Sequence, residues 1–176
     1  SNSVSGVVTG DISLTSVESL IVDAAGDLSI NGTPDNDTLQ FRASSAASGS
    51  VTLVGGTTSV SYTSITGDVT VDGAAGHDVL SVNGNDETDT VTSTSDSVTI
   101  NGGTVTLSTL ERLEINTFDG DDSVTLNVDG GSIEKIVDAG KGNDTVDASG
   151  AVDATILGGD GNDSLTGSPV ADDISG

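Results

Sequence analysis

A short phrase recurs along this 176-residue chain and limits what the chain can fold into. Small or glycine residues come first, followed by an aspartate, any residue and an apolar residue. The clearest copies have their aspartate at Asp122, Asp144 and Asp163, which lie 22 and 19 residues apart. Earlier copies have it at Asp37 and Asp78. A period of about 20 residues built from short strands and turns is typical of a solenoid.

Apolar and polar residues alternate on both sides of these turns, as in 113–115 and 124–128. Alternation with a period of two predicts β-strands, and almost no helix is expected. Degenerate copies after Gly55-Gly56 and at Gly103-Thr104-Val105 complete the series, and 89–91 is interpreted as an insertion. We therefore predict an all-β parallel β-solenoid (β-helix or β-roll) of about seven ~20-residue coils, with the Gly/Asp-rich turns stacked on one side.

The composition fits a narrow interior. The only aromatic residues are Phe41, Tyr62 and Phe118, so small aliphatic side chains must fill the core layer by layer. We expect a single solenoid domain over 1–176, with degenerate coils in 1–118 and better-preserved coils in 119–176, as a segment of a longer or assembling extracellular protein. An antiparallel β-sandwich is the alternative fold, because short alternating strands and Gly/Asn turns serve it as well.

Charge constrains the partners. The chain carries 28 acidic and 4 basic side chains, for a formal net charge of −24. Such a chain repels itself, which favours either disorder or cations that cancel the charge on folding. The same charge argues against a nucleic-acid partner. The chain has no cysteine, which excludes disulfides and thiolate metal sites, and it has no apolar stretch long enough for a membrane span.

The turns have the chemistry of a calcium site. Calcium takes six to eight oxygen ligands from carboxylates and carbonyls. Glycine lets backbone carbonyls turn inward because it tolerates positive φ, and one aspartate per turn adds a carboxylate. A single turn offers too few ligands, whereas two stacked turns could hold an ion between them. The alternative is turn chemistry without a metal, since Asp, Asn and Gly favour tight turns on their own.

The segment 158–166 fits the nonapeptide G-G-x-G-x-D-x-U-x at every defined position. The chain therefore resembles the hemolysin-type calcium-binding (RTX) repeat proteins of secreted bacterial solenoids and adhesins. That resemblance implies calcium between successive turns, in one column that is densest from residue 119 onward. The candidate ligands are Asp78, Asp119, Gly120, Asp122, Asp138, Gly140, Gly142, Asp144, Gly158, Gly159, Asp160, Gly161, Asp163 and Asp172.

The expected function is that of an extracellular or cell-surface structural protein, not an enzyme: a rod segment of an adhesin, surface layer or fibre stabilised by Ca²⁺. Its partners would be calcium, further copies joined end to end in a filament, and a cell-surface or polysaccharide ligand. An RTX-type export and folding module of a secreted enzyme or toxin is the first alternative. A polysaccharide-acting β-helix enzyme is the second, although basic and aromatic residues are scarce. His77, the only histidine, is interpreted as an exposed turn residue.

Overall fold

The computed structural model describes residues 2–5, 11–13, 19–23, 26–54, 59–127 and 133–176, and these residues form two β-sheets and no helix. Sheet A has ten strands: β1 (Asn2–Ser5), β3 (Ser19–Asp23), β5 (Thr38–Ser45), β6 (Ser48–Leu53), β7 (Ser59–Thr63), β9 (Val79–Asn83), β13 (Arg112–Asn116), β15 (Glu134–Asp138), β17 (Thr155–Leu157) and β19 (Asp173–Ser175). Sheet B has nine strands: β2 (Asp11–Ser13), β4 (Leu28–Asn31), β8 (Val69–Asp72), β10 (Thr90–Ser93), β11 (Ser97–Ile100), β12 (Gly103–Ser108), β14 (Ser123–Leu126), β16 (Thr145–Asp147) and β18 (Ser164–Thr166). The all-β prediction is confirmed.

From β13 onward the chain passes alternately between the two sheets. From β15 onward each strand pairs in parallel with the strand two positions earlier, as β15 does with β13 and β16 with β14, whereas β13 and β14 pair in parallel with β9 and β10. Equivalent apolar residues consequently fall into rows. In sheet B, Val124 pairs with Val146, which pairs with Leu165. Val128, the last residue of the predicted strand 124–128, lies outside the described residues.

The two sheets share one narrow core. Strand residues alternate between buried and partly exposed positions, and the buried ones are mostly Val, Leu, Ile and Ala. Phe41 and Tyr62 are almost fully buried, whereas Phe118 is 38% exposed. One buried position breaks the apolar pattern, because the Lys135 side chain is buried at the register position next to Leu113 and its Nζ donates to the Ile133 carbonyl.

The sheets are mixed and not wholly parallel, because two antiparallel insertions interrupt the coil. In sheet A, β6 pairs antiparallel with both β5 and β7. In sheet B, β11 pairs antiparallel with both β10 and β12. The prediction of near-equal 20-residue coils is therefore wrong in the middle of the chain. Along the sequence, three strands lie between the parallel partners Leu39 and Leu80, whereas a simple coil has one.

The predicted degenerate copy at Gly103 is a β-hairpin instead. Asn101 and Gly102 form its two-residue turn with φ of 50° and 83°, and Ile100 pairs with Gly103. Two consecutive residues with positive φ match the right-handed twist of a hairpin, and Asn-Gly is the sequence that favours this turn most. The other degenerate copy, Gly55-Gly56, lies outside the described residues. The strands on either side of it, β6 and β7, are antiparallel.

Candidate functional site: stacked acidic turns

Four six-residue turns lie one above another where the chain passes from sheet A to sheet B. We call them the first turn stack: 84–89, 117–122, 139–144 and 158–163. Each turn ends on an aspartate immediately before a strand of sheet B, namely Asp89, Asp122, Asp144 and Asp163. The structure thus brings together the three best predicted aspartates and adds Asp89, which the sequence had assigned to an insertion.

Two positions have positive φ in the later turns, and both are glycine in 139–144 and 158–163, whereas the second residue of 117–122 is Phe118 with φ of 73°. The second position has φ of 94° at Gly140 and 95° at Gly159, and the fourth has φ of 142° at Gly142 and 150° at Gly161. A Cβ on Gly142 would lie 1.6 Å from the Gly120 carbonyl oxygen, and one on Gly161 would lie 1.5 Å from the Gly142 carbonyl oxygen. Positive φ and close approach of the next turn both exclude a side chain there.

Backbone hydrogen bonds join the turns to one another. The Lys141 amide donates to the Phe118 carbonyl at 2.7 Å, and the Gly120 amide donates to the Lys141 carbonyl at 2.8 Å. The same pair recurs in the next step, where the Asp160 amide donates to the Gly140 carbonyl and the Gly142 amide donates to the Asp160 carbonyl, both at 2.8 Å. None of the hydrogen bonds of the described residues ends on the Gly120 or Gly142 carbonyl oxygen, so both oxygens are available as ligands.

The aspartates form a relay from turn to turn. The backbone amide of Asp89 donates to Asp122 Oδ1 at 2.7 Å, that of Asp122 to Asp144 Oδ1 at 2.8 Å, and that of Asp144 to Asp163 Oδ1 at 3.0 Å. One oxygen of each acceptor carboxylate is thereby fixed. The other oxygen, Oδ2, is buried and without a hydrogen-bond partner at both Asp122 and Asp144.

This arrangement is electrostatically costly without a cation. Asp122 is 3% exposed and Asp144 is 1% exposed. Burial raises the pKa of the Asp122 carboxyl above its usual value, against the lowering effects of the Asp89 amide and of the Thr117 hydroxyl. That hydroxyl itself donates to the Ala139 carbonyl. The charges of Asp144 and Asp89 raise the pKa of Asp122 further. Burial likewise raises the pKa of Asp144, with a further contribution from Asp163. A buried carboxylate oxygen without a partner is unfavourable unless a donor or a cation reaches it.

A second turn stack lies at the opposite edge, where the chain passes from sheet B to sheet A, and comprises 32–37 and 73–78. The Asp37 amide donates to Asp78 Oδ1 at 2.8 Å, and Asp78 Oδ2 is buried without a partner. Burial is the main cause that raises the pKa of Asp78. Ala74 and Gly76 have φ of 75° and 142°, close to the values in the first turn stack.

The prediction that all these turns stack on one side is therefore wrong for Asp78 and Asp172. Both precede strands of sheet A, whereas Asp122 precedes a strand of sheet B. Asp172 accepts from the Ala154 amide at 3.1 Å, which gives it the same bonding role at its own edge. The error has a simple cause, since one sequence phrase serves both edges of the coil and spacing alone does not distinguish them.

Three of the predicted ligands lie outside the relay. The Asp119 carboxylate is paired with Lys141 Nζ at 2.8 Å, and both side chains are more than half exposed. Asp160 occupies the equivalent exposed position one turn further, bridged through its backbone to Lys141. Asp138 is exposed at the end of β15. Among the remaining predicted residues, Gly158 is buried, and a Cβ there would lie 2.5 Å from Asp163 Oδ2.

An outer ladder of side chains runs parallel to the relay and was not predicted. The Asn143 amide donates to Asp121 Oδ1 at 2.7 Å, and the Asn162 amide donates to Asn143 Oδ1 at 3.2 Å. The second turn stack repeats the contact, where the His77 amide donates to Asn36 Oδ1. The sequence signal for this outer ladder is the Asp or Asn that directly precedes the relay aspartate in several copies of the turn. His77 itself is exposed, as expected.

Side chains alone do not assemble a metal site here. The described residues contain no group of three or more His, Asp or Glu side chains placed to hold one ion. The relay supplies one free carboxylate oxygen per turn, so carbonyl oxygens such as those of Gly120 and Gly142 would have to complete the shell. Calcium accepts that mixture of hard oxygen ligands. The residues present therefore fit a calcium ion better than a metal that prefers nitrogen or sulfur ligands.

No protein-family model, curated protein or solved structure matches this chain. The described residues also include no helix that is long and apolar enough to cross a membrane.

Proposed function

We propose that this chain is a calcium-stabilised parallel β-solenoid interrupted by two hairpins, and that it serves as a rod segment of an extracellular structural protein such as an adhesin, surface layer or fibre. The observation that carries the proposal is the first turn stack. There, Oδ2 of Asp122 and of Asp144 is buried without a partner, and the nearby Gly120 and Gly142 carbonyl oxygens accept no hydrogen bond in the described structure.

The solenoid interpretation is supported by the strand order. From β13 to β19 the sheets exchange strands one for one, with parallel pairing at every step. Each coil buries only a few aliphatic side chains, so it depends on its neighbours for a core. Ions between adjacent turns would add a second bond between coils, at the edge where the hydrophobic core ends.

The calcium ligands in this proposal are the Oδ2 atoms of Asp122, Asp144 and Asp163 with the turn carbonyls. Asp78 would act in the same way in the second turn stack. Calcium when bound supplies the positive charge that the relay lacks. Because the relay aspartates come from different coils, ligand binding and coil stacking become one equilibrium, and the metal-free chain has less to hold its coils together.

A structural role is favoured over a catalytic one by repetition. The same six-residue turn with a terminal aspartate occurs in successive coils, which suits a device that joins coils, whereas a catalytic centre needs one unique constellation. The proposed location follows from the ion, since extracellular calcium modules bind with dissociation constants of about 10⁻⁴–10⁻³ M. Such a site would be filled outside the cell.

The test is a calcium titration of chelated protein, followed by far-UV circular dichroism and by calorimetry. We expect saturable binding, a gain of β signal and a higher midpoint of thermal unfolding. Asp144→Asn should weaken the binding, because it removes the charge of a buried relay oxygen. Asp147→Asn is the matched control, since Asp147 lies three residues later and is exposed. A chelated protein that is already folded and unaffected by calcium would refute the proposal, as would equal affinities for the two variants.

A further inference from the structure

The two antiparallel insertions meet at one place. The β5–β6 hairpin extends from sheet A towards the β11–β12 turn of sheet B, where a Cβ on Gly103 would lie 2.5 Å from the Ala43 Cβ. A Cβ on Gly102 would lie 4.0 Å from the Ala46 Cβ. The regular coil alone would not bring these segments together. Where they meet lies a pocket of about 450 Å³ that is open to solvent. Its volume falls in the range of about 300–1,000 Å³ that is typical of small-molecule sites.

The pocket differs in chemistry from the rest of the molecule. The residues that line it are Arg42, Ala43, Ser44, Gly49, Ser50, Ser61, Tyr62, Thr63, Asn83, Gly84, Asn85 and Asn101. Among the described residues, none of those that line it is acidic, although the chain carries 28 acidic side chains. Its polar groups are hydroxyls, amides and one guanidinium. The lining therefore suits a ligand rich in hydroxyl groups that carries a negative charge.

The guanidinium is held in place and left without a carboxylate partner. Arg42 Nη1 donates to the Gly84 carbonyl at 3.2 Å, and the guanidinium carbon lies 5.5 Å from the centre of the Phe118 ring. Within the described part of the chain, Arg42 forms no ion pair, whereas Arg112 pairs with Glu134 and Lys141 with Asp119. An arginine has five N–H donors in a fork that matches a carboxylate, so most of its donors remain available.

Three asparagine side chains line the pocket. The amide nitrogens of two of them donate hydrogen bonds within the protein, and that of the third does not. Asn85 and Asn101 donate to the Asp89 carboxylate, which is fully buried behind the pocket and is thereby already bonded. Asn83 is 5% exposed, and its Oδ1 accepts from Asn116 Nδ2 at 3.2 Å. Its own Nδ2 is buried and has no partner. Because that nitrogen has almost no exposed surface, it does not reach a ligand in the pocket, and the donors that face the pocket are the hydroxyls and Arg42.

We propose that this pocket binds a saccharide that carries a carboxylate, with the Arg42 guanidinium on the carboxylate and the serine and threonine hydroxyls of the lining on the sugar hydroxyls. A purely apolar ligand would leave these polar groups unpaired, and a cation would be repelled by Arg42. The negative charge of the whole chain does not prevent binding, because fields beyond about 8 Å are screened at physiological ionic strength. None of the relay aspartates lines the pocket, but Gly84 and Asn85 of the first turn stack do, so the binding test is made in excess calcium.

The test is calorimetric titration of the folded protein with trigalacturonic acid, compared with maltotriose as a neutral probe of equal length, at physiological ionic strength and in excess calcium. We expect saturable binding of trigalacturonic acid and at least about tenfold weaker binding of maltotriose. Arg42→Gln should weaken the binding of the acidic probe by about tenfold or more.

The matched control is Arg112→Gln, which removes the same charge from an arginine outside the pocket, and it should leave the affinity unchanged. Because both variants have the same net charge, non-specific attraction and calcium bridging affect them equally. If Arg42→Gln does not fold, Arg42→Lys keeps the charge but loses the fork, and weaker binding is again expected. The proposal is overturned if trigalacturonic acid shows no saturable binding, or if the Arg42 and Arg112 variants bind it equally. Neither result depends on whether calcium binds the turns.

Discussion

The close approach of successive turns can be tested with two glycines that have the same backbone conformation. Gly142 has φ of 142° and Gly26 has φ of 141°. A Cβ on Gly142 would lie 1.6 Å from the Gly120 carbonyl oxygen, whereas a Cβ on Gly26 would meet nothing within 4 Å. Gly26→Ala therefore reports the conformational cost alone, and Gly142→Ala reports that cost together with the contact between coils.

The magnitudes follow from the geometry. An alanine held in a glycine-only conformation costs about 1–3 kcal/mol, and this term is common to both variants. Since Cβ contacts shorter than 3.0 Å essentially never occur, a Cβ at 1.6 Å forces a movement of about 1.4 Å. That movement breaks the two backbone bonds that join these turns, from the Gly120 amide to the Lys141 carbonyl at 2.8 Å and from the Lys141 amide to the Phe118 carbonyl at 2.7 Å. Two net hydrogen bonds are worth about 1–3 kcal/mol.

We expect Gly142→Ala to lower the free energy of unfolding by about 2 kcal/mol more than Gly26→Ala, which for a domain of this size corresponds to about 4–8 °C in the melting temperature. The measurement is chemical and thermal denaturation followed by circular dichroism, with excess calcium for both variants. Equal destabilisation by the two substitutions would refute the close stacking of the turns at 120 and 142, and with it the alignment of the relay.

Three further predictions concern other parts of the fold. Burial raises the pKa values of Asp78, Asp122 and Asp144, so the stability they contribute is complete below the ordinary aspartate pKa of about 3.9 and is lost as pH rises through the raised values. Chelated protein should therefore melt at a higher temperature near about pH 4 than near about pH 7, and a flat or opposite profile in a thermal scan would contradict this. Asn101→Ala should cost about 1–3 kcal/mol in a denaturant titration, because it removes the acceptor of the Thr90 amide and a donor to the buried Asp89, and an unchanged midpoint would count against the hairpin. Ala74→Gly should stabilise the protein by up to about 1 kcal/mol, because Ala74 has φ of 75° at the turn position that Gly140 and Gly159 occupy in the first turn stack, and a lower midpoint would show that the strain is absent.

The all-β architecture could be predicted because it depends on local signals. Alternating apolar residues specify strands wherever they occur, and the positions of Val124, Val146 and Leu165 specify one row of the core. Pairing partners are harder to predict, since a strand that returns antiparallel alternates in the same way as one that continues the coil. The Asn101-Gly102 pair was the local signal that distinguished them, and it was interpreted as part of a degenerate turn.

The relay at Asp122, Asp144 and Asp163 could be predicted as a group, but not its extension or its limits. Asp89 was missed because the turn 84–89 has only one glycine and none of its residues has positive φ, so the glycine pattern that marks the later turns is absent. Asp119 was over-assigned because a phrase of the sequence does not show which way a side chain faces. In the fold, Asp119 at the third position pairs with Lys141 on the surface, whereas the carboxylate of Asp144 at the sixth position accepts from the Asp122 amide of the preceding turn.

The hairpins and the turns serve opposite purposes along one chain. The relay repeats the same bond at each step from Asp89 to Asp163, so it joins successive turns without distinguishing one from another. The two insertions interrupt the repeat once in each sheet, and they meet at the pocket that contains Arg42. Because the pocket depends on contacts between the insertions, such as that of Gly103 with Ala43, loss of ions from the turns and loss of the pocket should be separable. A bulky residue at Gly103 should abolish saccharide binding while calcium affinity is retained, whereas parallel loss of both activities would show that the pocket and the turn stack form one cooperative unit.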